Sequence, residues 1–511
     1  MAIVNSVNLG DVFDVEAAGD RLALIDCRDW DTPREYTHRE LDDAANACAR
    51  GLLARGYQPG ERIMVLSANR AEFYIAYMGI LRAGMIAVPI SYKFPTETIF
   101  FILTDADIRL IICDDVQRQR LQTDLPMVCF DDDGEAGFQA LLDPGSFEIF
   151  RPSDADVAMV LYTSGSTGRP KGVPLTHFGH LWALRMRTEK GGPYDHHRVL
   201  IAAPLYHMNA LCVGLFTFAA KATVVLLPEF TPETYMAAIP RFQSTWITSV
   251  PTMLAMCFAD PKLAAKTDLS SVSIVRMGSA PVSPKLWERV TGAFPDANIV
   301  IGYGTTESGP VAYGPRLGEA PPPLSVGWKI EGADTKLIDA EGLEADEGEL
   351  WHRCPANMPG YLNLPQKTAE VLTEDGWYKT GDVFRCDEGG AYYFVGRVDD
   401  MFNCGGENIY PGEVEKVLLA HPDIEDACVV PIADEIKGFK PVAFVVPRAG
   451  TTIEADAVKQ HALDNAPAFQ HPRQVEVMDA LPLAGPGKVD RNGLAARARE
   501  KWQGAPQTET G

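Results

Sequence analysis

The segment Ala158-Met-Val-Leu-Tyr-Thr-Ser-Gly-Ser-Thr-Gly-Arg-Pro-Lys-Gly172 carries the strongest indication of the fold. Its first five residues predict a β-strand, and the rest combine glycines, hydroxyl side chains and a lysine. Glycines let the backbone approach an anion, while N–H groups, hydroxyls and Lys171 donate to it. The spacing does not fit the P-loop pattern G-x-x-x-x-G-K-S/T. A strand followed by a phosphate-binding loop is therefore predicted, although such a segment alone is equally typical of a flexible surface turn.

Strand-like and helix-like patterns alternate on both sides of this segment. A capping box at Thr37-x-x-Glu40 begins an amphipathic helix, residues 62–66 predict a strand, and residues 71–82 predict a helix. Apolar runs at residues 223–227 and 273–277 are each followed by turn residues and helical spacing. The alternation predicts an α/β fold with doubly wound, parallel sheets.

The pattern changes after about Pro310. Short β-type runs separated by Gly and Asp turns predict a small β-rich subdomain over about residues 311–397. A helix at residues 412–420 and strands at 427–431 and 442–446 then predict a small α+β domain. The expected organisation is an N-terminal domain over residues 1–397 and a C-terminal domain over residues 398–511.

Composition excludes several classes of function. The 511 residues include 46 basic and 69 acidic side chains, and the formal charge of -23 disfavours nucleic acids and anionic membranes as partners. Any nucleotide must therefore be held by local basic and N–H groups. The ten cysteines show no C-x-x-C spacing, the N-terminus does not resemble a secretory signal, and the apolar run at residues 210–220 is too short to span a bilayer. A cytoplasmic location without a membrane span is expected.

Six further segments bear on function. They are Pro204-Leu-Tyr-His207, Gly302-Tyr-Gly-Thr-Thr-Glu307, Gly376-Trp-Tyr-Lys-Thr-Gly-Asp382, Gly396-Arg-Val-Asp-Asp400, Gly405-Gly-Glu-Asn-Ile-Tyr-Pro411 and Gly487-Lys488. With Tyr162 to Gly172 they resemble, in the same order, the adenylate-forming (AMP-binding) superfamily of acyl-CoA synthetases, firefly luciferase and peptide-synthetase adenylation domains. The similarity extends over essentially the whole chain and is greatest to the acyl-CoA synthetase and aryl-CoA ligase branch.

The resemblance implies an ATP site. Glu307 and Thr163 would hold Mg²⁺, Tyr303 would stack on adenine, and Thr306 would contact the α-phosphate. Asp382 would accept both ribose hydroxyls with help from Arg397. The other nucleotide-binding residues implied are Ser164, Gly165, Ser166, Thr167, Gly168 and Lys171 in the loop, and Ser279, Ala280 and Pro281 beside the adenine amino group.

The resemblance also implies two half-reactions. The carboxylate of an acid attacks the α-phosphorus of ATP while Lys488 stabilises the developing charge, and a thiol then attacks the acyl-adenylate. Between the steps, a mobile C-terminal domain would rotate about Asp399, which would remove Lys488 and bring in Gly405 and Gly406 beside the pantetheine arm. Around Lys488 the sequence departs from the family pattern, since Leu483 and Ala484 replace a lysine and a Ser or Thr.

The acyl pocket is implied at six positions: His207, Asn209, Met277, Gly278, Gly302 and Gly304. The glycines are expected to leave room for a flat or linear acid, and His207 and Asn209 to meet a polar substituent. Amino-acid-activating relatives carry an aspartate near residues 204–209, which this chain does not. An aromatic or medium-sized acid is therefore expected rather than an α-amino acid.

Coenzyme A is the expected thiol, because no carrier domain follows in the sequence. Arg82 matches an arginine that meets the nucleotide phosphate of coenzyme A in aryl-CoA ligases, and Phe469 lies in a segment implied to contact it. His471 stands where relatives often carry a basic residue, and Lys437 and Arg473 are candidates to compensate.

Four alternatives remain open. The adenylate could serve a carrier protein, the acid could be a fatty acid, the adenylate could be oxidised as in luciferase, or the chain could be an inactive binding protein. Retention of Lys171, Glu307, Asp382, Arg397 and Lys488 argues against the last. A homodimer is common among relatives of this kind.

Overall fold

The computed structural model describes residues 6–163, 169–190, 193–310, 313–316, 319–404, 407–434, 437–485 and 488–502. Helices and strands alternate through the first 302 residues, as the sequence predicts. Their bounds are α1 (Val15–Ala18), β1 (Leu22–Asp26), β2 (Arg34–Thr37), α2 (His38–Ala54), β3 (Arg62–Leu66), α3 (Ala71–Arg82), β4 (Ile86–Pro89), α4 (Thr96–Asp105), β5 (Ile108–Cys113), α5 (Asp115–Arg120), β6 (Met127–Cys129), α6 (Phe138–Leu141), β7 (Val157–Thr163), β8 (Lys171–Thr176), α7 (His177–Lys190), β9 (Arg198–Ile201), α8 (Met208–Ala219), β10 (Thr223–Leu226), α9 (Pro232–Phe242), β11 (Trp246–Ser249), α10 (Pro251–Cys257), α11 (Pro261–Lys266), β12 (Ile274–Gly278), α12 (Pro284–Ala293) and β13 (Asn298–Gly302).

These strands form two large sheets. One has the order β13-β12-β11-β9-β10-β1-β2 and is parallel except for β2. The other has the order β6-β5-β3-β4-β7-β8 and is parallel except for β8. Non-sequential neighbours joined through helices make both sheets doubly wound, which confirms the predicted α/β class.

Strand β3 shows how both faces of its sheet are covered. Ile63 and Val65 belong to the main core that both sheets share, whereas Met64 and Leu66 belong to a second core on the opposite face. Side chains alternate across a strand, so a sheet buried on both faces needs a continuous apolar run of this kind.

The rest of the chain is richer in strands. It contains β14 (Tyr313–Gly314), β15 (Trp328–Lys329), β16 (Asp334–Ile338), β17 (Glu347–Arg353), α13 (Pro365–Val371), β18 (Tyr378–Cys386), β19 (Tyr392–Arg397), β20 (Phe402–Cys404), β21 (Glu407–Ile409), α14 (Pro411–Leu419), β22 (Ile424–Asp434), β23 (Gly438–Pro447), α15 (Ala455–Asn465), β24 (Gln474–Val477), β25 (Leu483–Gly485), β26 (Lys488–Val489) and α16 (Arg491–Trp502). Strands β16 to β19 form an antiparallel sheet. A second sheet of order β21-β20-β23-β22, with β24 beside β23, packs against α14, α15 and α16.

Within the described residues, no helix combines the length and apolar composition needed to cross a bilayer. The apolar run near residue 210 forms the buried helix α8 instead.

Arg82 requires a correction, because the structure gives it a structural place. Its side chain is fully buried at the end of α3. The guanidinium donates to the Gly10 carbonyl at 2.8 Å and to the Asn46 side chain at 2.7 Å, and it pairs with the Asp42 carboxylate at 2.6 Å. All three nitrogens of the guanidinium have partners within the core. Arg82 is therefore not available for the expected contact with a coenzyme A phosphate.

The burial of Arg82 leads to a prediction about stability. Replacing Arg82 with Met leaves the Asp42 carboxylate and the Gly10 carbonyl without their donor. Removing one partner of a buried ion pair costs about 3–5 kcal/mol, and we expect Arg82→Met to fall near the lower end because Asp42 is partly exposed. Urea unfolding of the variant measures this loss.

Arg39→Met on helix α2 is the matched control. Arg39 pairs with Asp20 at the surface, so its loss should change the free energy of unfolding by no more than about 1 kcal/mol. An Arg82→Met protein of unchanged stability would contradict the structural assignment.

Candidate active site

The predicted site residues follow the carboxyl ends of parallel strands. Thr163 ends β7, Gly278 ends β12 and Gly302 ends β13, while residues 204–207 follow β9. Ligands of doubly wound sheets bind in the crevice outside these ends. The topology therefore explains why segments far apart in sequence contribute to one site.

Asp382 is the centre of the polar contacts in this crevice. Its buried carboxylate accepts a hydrogen bond from the Tyr303 hydroxyl at 2.6 Å and from Arg397 at 2.7 Å. The β18–β19 pairing places Asp382 directly opposite Arg397. Burial raises the pKa of Asp382, and the Arg397 charge opposes that rise. Since each carboxylate oxygen has two acceptor sites, further donors can still bind.

A second set of contacts links Lys171 to Glu307 through Tyr361. The Lys171 ammonium donates to the Tyr361 hydroxyl at 3.1 Å, and that hydroxyl donates to the buried Glu307 carboxylate at 2.8 Å. Burial, followed by the charge of Glu307, raises the pKa of Tyr361, so the phenol stays protonated as a donor. The arrangement holds a cation and a carboxylate on either side of one phenol.

Two features beside these contacts fit a nucleotide. The hydroxyl oxygen of Thr163 is buried and has no hydrogen-bond partner among the described residues. Ser279 has a φ of 67°, a left-handed conformation uncommon outside glycine, and it begins the exposed segment that continues through Ala280 and Pro281. Strained backbone of this kind is concentrated at functional sites. Thr306 lies partly buried between Tyr303 and Glu307.

The expectation that glycines open the acyl pocket is wrong. A Cβ on Gly302 would lie 2.5 Å from the Arg276 guanidinium, and one on Gly304 would lie 2.9 Å from the Gly309 carbonyl oxygen. A Cβ on Gly278 would lie 3.2 Å from the Gly302 carbonyl oxygen. The space beside these glycines is taken by protein atoms, so they permit close packing rather than substrate entry.

Met277 also differs from its prediction. It is fully buried in the main core, and the neighbouring Arg276 faces a small cavity in its place because side chains alternate along β12. Asn209 lines the same cavity and accepts a hydrogen bond from Arg276. His207 is exposed immediately before helix α8.

The residues implied in the thiol step lie around the C-terminal sheet. Asp399 is exposed in the turn after β19, and Phe469 packs against the C-terminal core. The backbone of Lys488 lies in β26, and its side chain is outside the described part of the structure. The predictions for Ser164, Gly165, Ser166, Thr167, Gly168, Gly405 and Gly406 also fall outside the described residues.

His471 lies within a group of basic side chains. Arg473 approaches its Nδ1 at 2.9 Å. Burial, together with the positive charges of Arg473, Lys459 and Lys437, lowers the pKa of His471 to about 4. This imidazole is therefore neutral at pH 7, and the positive charge comes from the three residues around it.

Comparison with known proteins identifies the family. A model described as AMP-binding enzyme matches residues 13–362, and a model of the AMP-binding enzyme C-terminal domain matches residues 413–488. The chain belongs to the AMP-binding enzyme family. It lies in the acyl-CoA synthetase branch, as its similarity to curated ligases shows.

Two curated relatives and one solved structure illustrate this similarity. 4-Coumarate–CoA ligase 1 of Petroselinum crispum is 31% identical, over 95% of this chain and 92% of the relative. Oxalate–CoA ligase of Arabidopsis thaliana is 29% identical, over 91% of this chain and 94% of the relative. The crystal structure of the anthranilate CoA ligase AuaEII with anthranoyl-AMP has a TM-score of 0.87 and 26% identity, covering 96% of this chain and 97% of that one.

Two site residues of this AMP-binding enzyme, Tyr361 and Arg276, are absent from the positions that the sequence predicts. Tyr361 carries no local signal, because a single tyrosine after a glycine is common in turns. Arg276 does carry one, since it interrupts the otherwise apolar run of β12. A charged residue in a strand buried on both faces requires a partner or a function.

Tyr361 gives a prediction for nucleotide binding by this AMP-binding enzyme. Tyr361→Phe removes the hydroxyl that connects Lys171 and Glu307. Hydrogen bonds to charged groups contribute about 1.5–3 kcal/mol, so we expect the Kd for Mg-ATP to rise about 10-fold or more. Titration calorimetry measures it without knowledge of the acid.

Tyr393→Phe is the matched control, because Tyr393 makes a similar hydrogen bond to Asp387 at 3.0 Å on the outer strand of the β16–β19 sheet. An equal effect of both substitutions on ATP affinity would contradict the role given to Tyr361.

Proposed function

We propose that this AMP-binding enzyme is an ATP-dependent carboxylic acid–CoA ligase. It converts an acid to an acyl-adenylate with release of pyrophosphate, and it then transfers the acyl group to coenzyme A with release of AMP. Membership of the acyl-CoA synthetase branch and the coverage of whole ligase relatives support this activity.

The geometry around Asp382 is the observation that carries the proposal. A buried carboxylate is costly unless donors satisfy it. Here Tyr303 and Arg397 orient it at the strand ends, where it can accept the two vicinal hydroxyls of a ribose. Lys171 supplies a positive charge in the same crevice, and a phosphate group is a stronger partner for it than the neutral phenol of Tyr361.

The residues present fit a magnesium ion carried by ATP. Mg²⁺ prefers one or two protein oxygen ligands together with phosphate oxygens and water. Glu307 and the unpartnered hydroxyl of Thr163 are suited to this role, and no group of three or more His, Cys, Asp or Glu side chains that could hold a metal by itself occurs in the described part of the chain. When bound, the ion would neutralise negative charge on the phosphates.

Lys488 is proposed as the residue that stabilises the charge developing at the α-phosphate. Between the two half-reactions a domain over residues 398–511 is proposed to rotate relative to one over residues 1–397. Its hinge is proposed at Asp399. The Lys285–Glu425 ion pair of 2.6 Å and the weaker Arg289–Glu425 contact join α12 to the strand β22 across that boundary. Both contacts are partly exposed, so breaking them costs little free energy.

The acid is proposed to be aromatic or medium-sized. Relatives named for 4-coumarate and anthranilate support an aromatic acid, while a relative named for oxalate shows that the same architecture accepts a much smaller acid. A fatty acid and a carrier-bound thiol remain the alternatives to test.

Pyrophosphate release from Mg-ATP tests the function directly. A panel of benzoates, hydroxycinnamates, dicarboxylic acids and straight-chain acids is assayed with and without coenzyme A. Acid-dependent release that turns over rapidly only with coenzyme A is expected. Release that is indifferent to coenzyme A would point to a carrier protein, and no release with any acid would refute the ligase.

Lys488→Ala separates the two half-reactions. Removing one preorganised group that stabilises transition-state charge slows a reaction by about 100- to 1000-fold. We expect that loss in acid-dependent pyrophosphate release, whereas conversion of supplied acyl-adenylate to the CoA thioester should stay within about 10-fold of the wild type, since it does not pass through that transition state. Equal losses in both assays would contradict the assignment.

The basic group around His471 gives a prediction for coenzyme A. Arg473→Ala removes one of the three positive charges, with those of Lys437 and Lys459, that act on His471. A charge-assisted contact with phosphate is worth about 1.5–3 kcal/mol, so KM for coenzyme A should rise about 10-fold. Pyrophosphate release without coenzyme A should be unaffected, and dephospho-coenzyme A should not distinguish variant from wild type.

A further inference from the structure

A small cavity lies beside strand β12. Its volume is about 40 Å³, and it is lined by Arg187, Asn209, Cys212, Phe216, Trp246 and Arg276, among others. Arg276 lies against Gly302, the residue before Tyr303, and Pro310, three residues after Glu307, also lines the cavity. The cavity therefore adjoins the elements that carry the proposed nucleotide site.

Two arginines meet in this cavity, and no described acidic residue pairs with either of them. Arg276 is 6% exposed, and its identified hydrogen bond goes to the Asn209 side chain. Arg187 donates to the Tyr313 carbonyl at 3.3 Å, and its buried Nε has no hydrogen-bond partner in the part of the chain that the structure describes. Among the described residues neither arginine forms an ion pair, and no Asp or Glu lines the cavity.

A third hydrogen-bond donor at the cavity, the indole N–H of Trp246, has no acceptor among the described residues either. The indole nitrogen is buried, and Trp246 lines the cavity with the two arginines. Burial lowers the pKa of both guanidiniums, and for Arg276 the charge of Arg187 lowers it further. Unpaired buried charges and unsatisfied donors are costly, and like charges add to that cost. An anion bound between these groups would pair with the two guanidiniums, accept a hydrogen bond from the indole and offset the repulsion between the two charges.

We propose that the acid used by this enzyme carries a second anionic group, in the simplest case a second carboxylate, which binds in this cavity between Arg276 and Arg187. The proposal rests on the proposed ligase function and adds the class of acid. The first carboxylate reacts at the nucleotide, and the second is held by the guanidiniums, whose planar donors match a carboxylate with two hydrogen bonds.

The size of the cavity limits the second group. A cavity needs roughly 10–15 Å³ to hold one water molecule, so about 40 Å³ accepts a small group such as a carboxylate rather than a ring. The carbon skeleton that joins the two groups would lie outside the cavity. A terminal carboxylate on a short or flat acid meets this requirement.

A purely structural role for the arginines predicts the opposite effect on stability. Groups that support the fold lower stability when they are removed. A buried cation without a partner lowers the stability of the free enzyme, and an apolar replacement of similar volume is often neutral or stabilising. Arg276→Met therefore distinguishes the two roles in the absence of any substrate.

The test compares matched pairs of acids on the full-length enzyme. Butyrate is paired with succinate, hexanoate with adipate and benzoate with isophthalate, and kcat/KM is measured by pyrophosphate release. We expect the diacid to be preferred in at least one pair, and Arg276→Met to lower the diacid-to-monoacid ratio by about 10- to 100-fold, as expected for loss of charge-assisted hydrogen bonds. Arg187→Met should lower the same ratio, whereas the exposed Arg241→Met is the control and should not.

Thermal unfolding supplies a readout that does not depend on turnover. A preferred diacid, added without ATP, should raise the Tm of the wild type but not of Arg276→Met, and the free variant should be at least as stable as the wild type. These shifts would support the diacid site even if no acid released pyrophosphate, a result that would refute only the ligase function. Equal kcat/KM and equal Tm shifts for both members of every pair, or a destabilised Arg276→Met with an unchanged ratio, would overturn the proposal.

Discussion

The buried carboxylate of Asp382 joins three parts of the chain. Its hydrogen bond from Tyr303 reaches the end of β13 in the seven-stranded sheet, and its ion pair with Arg397 reaches the end of β19, just before the turn that leads to the C-terminal sheet. Burial of this charge is unfavourable by itself, as the raised pKa of Asp382 indicates, and only donors fixed by the surrounding sheets make it tolerable. The contact therefore requires that the large sheet and the antiparallel β16–β19 sheet keep one relative position. The role proposed for Asp382 in binding a ribose depends on that fixed geometry, because both carboxylate oxygens must already be oriented.

The local architecture could be predicted well from sequence because local patterns determine it. The strand Arg62–Leu66 and the helix Ala71–Arg82 have the predicted bounds, and the capping box at Thr37 and Glu40 forms as expected. The parallel sheets follow from the same alternation, since buried strands and amphipathic helices have few other ways to cover their apolar faces. Grouping of the site segments at strand ends then follows from topology. Lys171 and Glu307 come together for this reason although about 140 residues separate them, whereas Asp382 meets Arg397 through the antiparallel pairing of β18 and β19.

Other features depend on distant side chains and leave no local pattern. Arg82 resembles a ligand-binding arginine in sequence, yet its role is decided by Gly10, Asp42 and Asn46, which surround it in the fold. The glycines of the expected acyl pocket mislead for a similar reason. In a sequence, a glycine shows that a side chain is missing, but not which neighbouring group uses the space. Gly278 pairs with Gly302 across β12 and β13, and the Arg276 guanidinium lies against that pair, so close packing replaces the open pocket that the sequence predicts.

The distribution of charge connects these observations. A chain with a formal charge of -23 repels anions at long range, whereas ATP, coenzyme A and carboxylic acids are all anions. Screening confines the field of surface charges to about 10 Å, so recognition depends on cations placed at the sites themselves. Lys171 and Arg397 lie in the crevice proposed to bind the nucleotide, and Arg473 lies with two lysines around a neutral imidazole. Arg276 and Arg187 are further from water than these, and a buried cation discriminates more strongly among ligands than an exposed one because solvent cannot substitute for the missing anion. The second anionic group that we propose would therefore meet a cation that is less exposed to solvent than the Arg397 of the proposed nucleotide site.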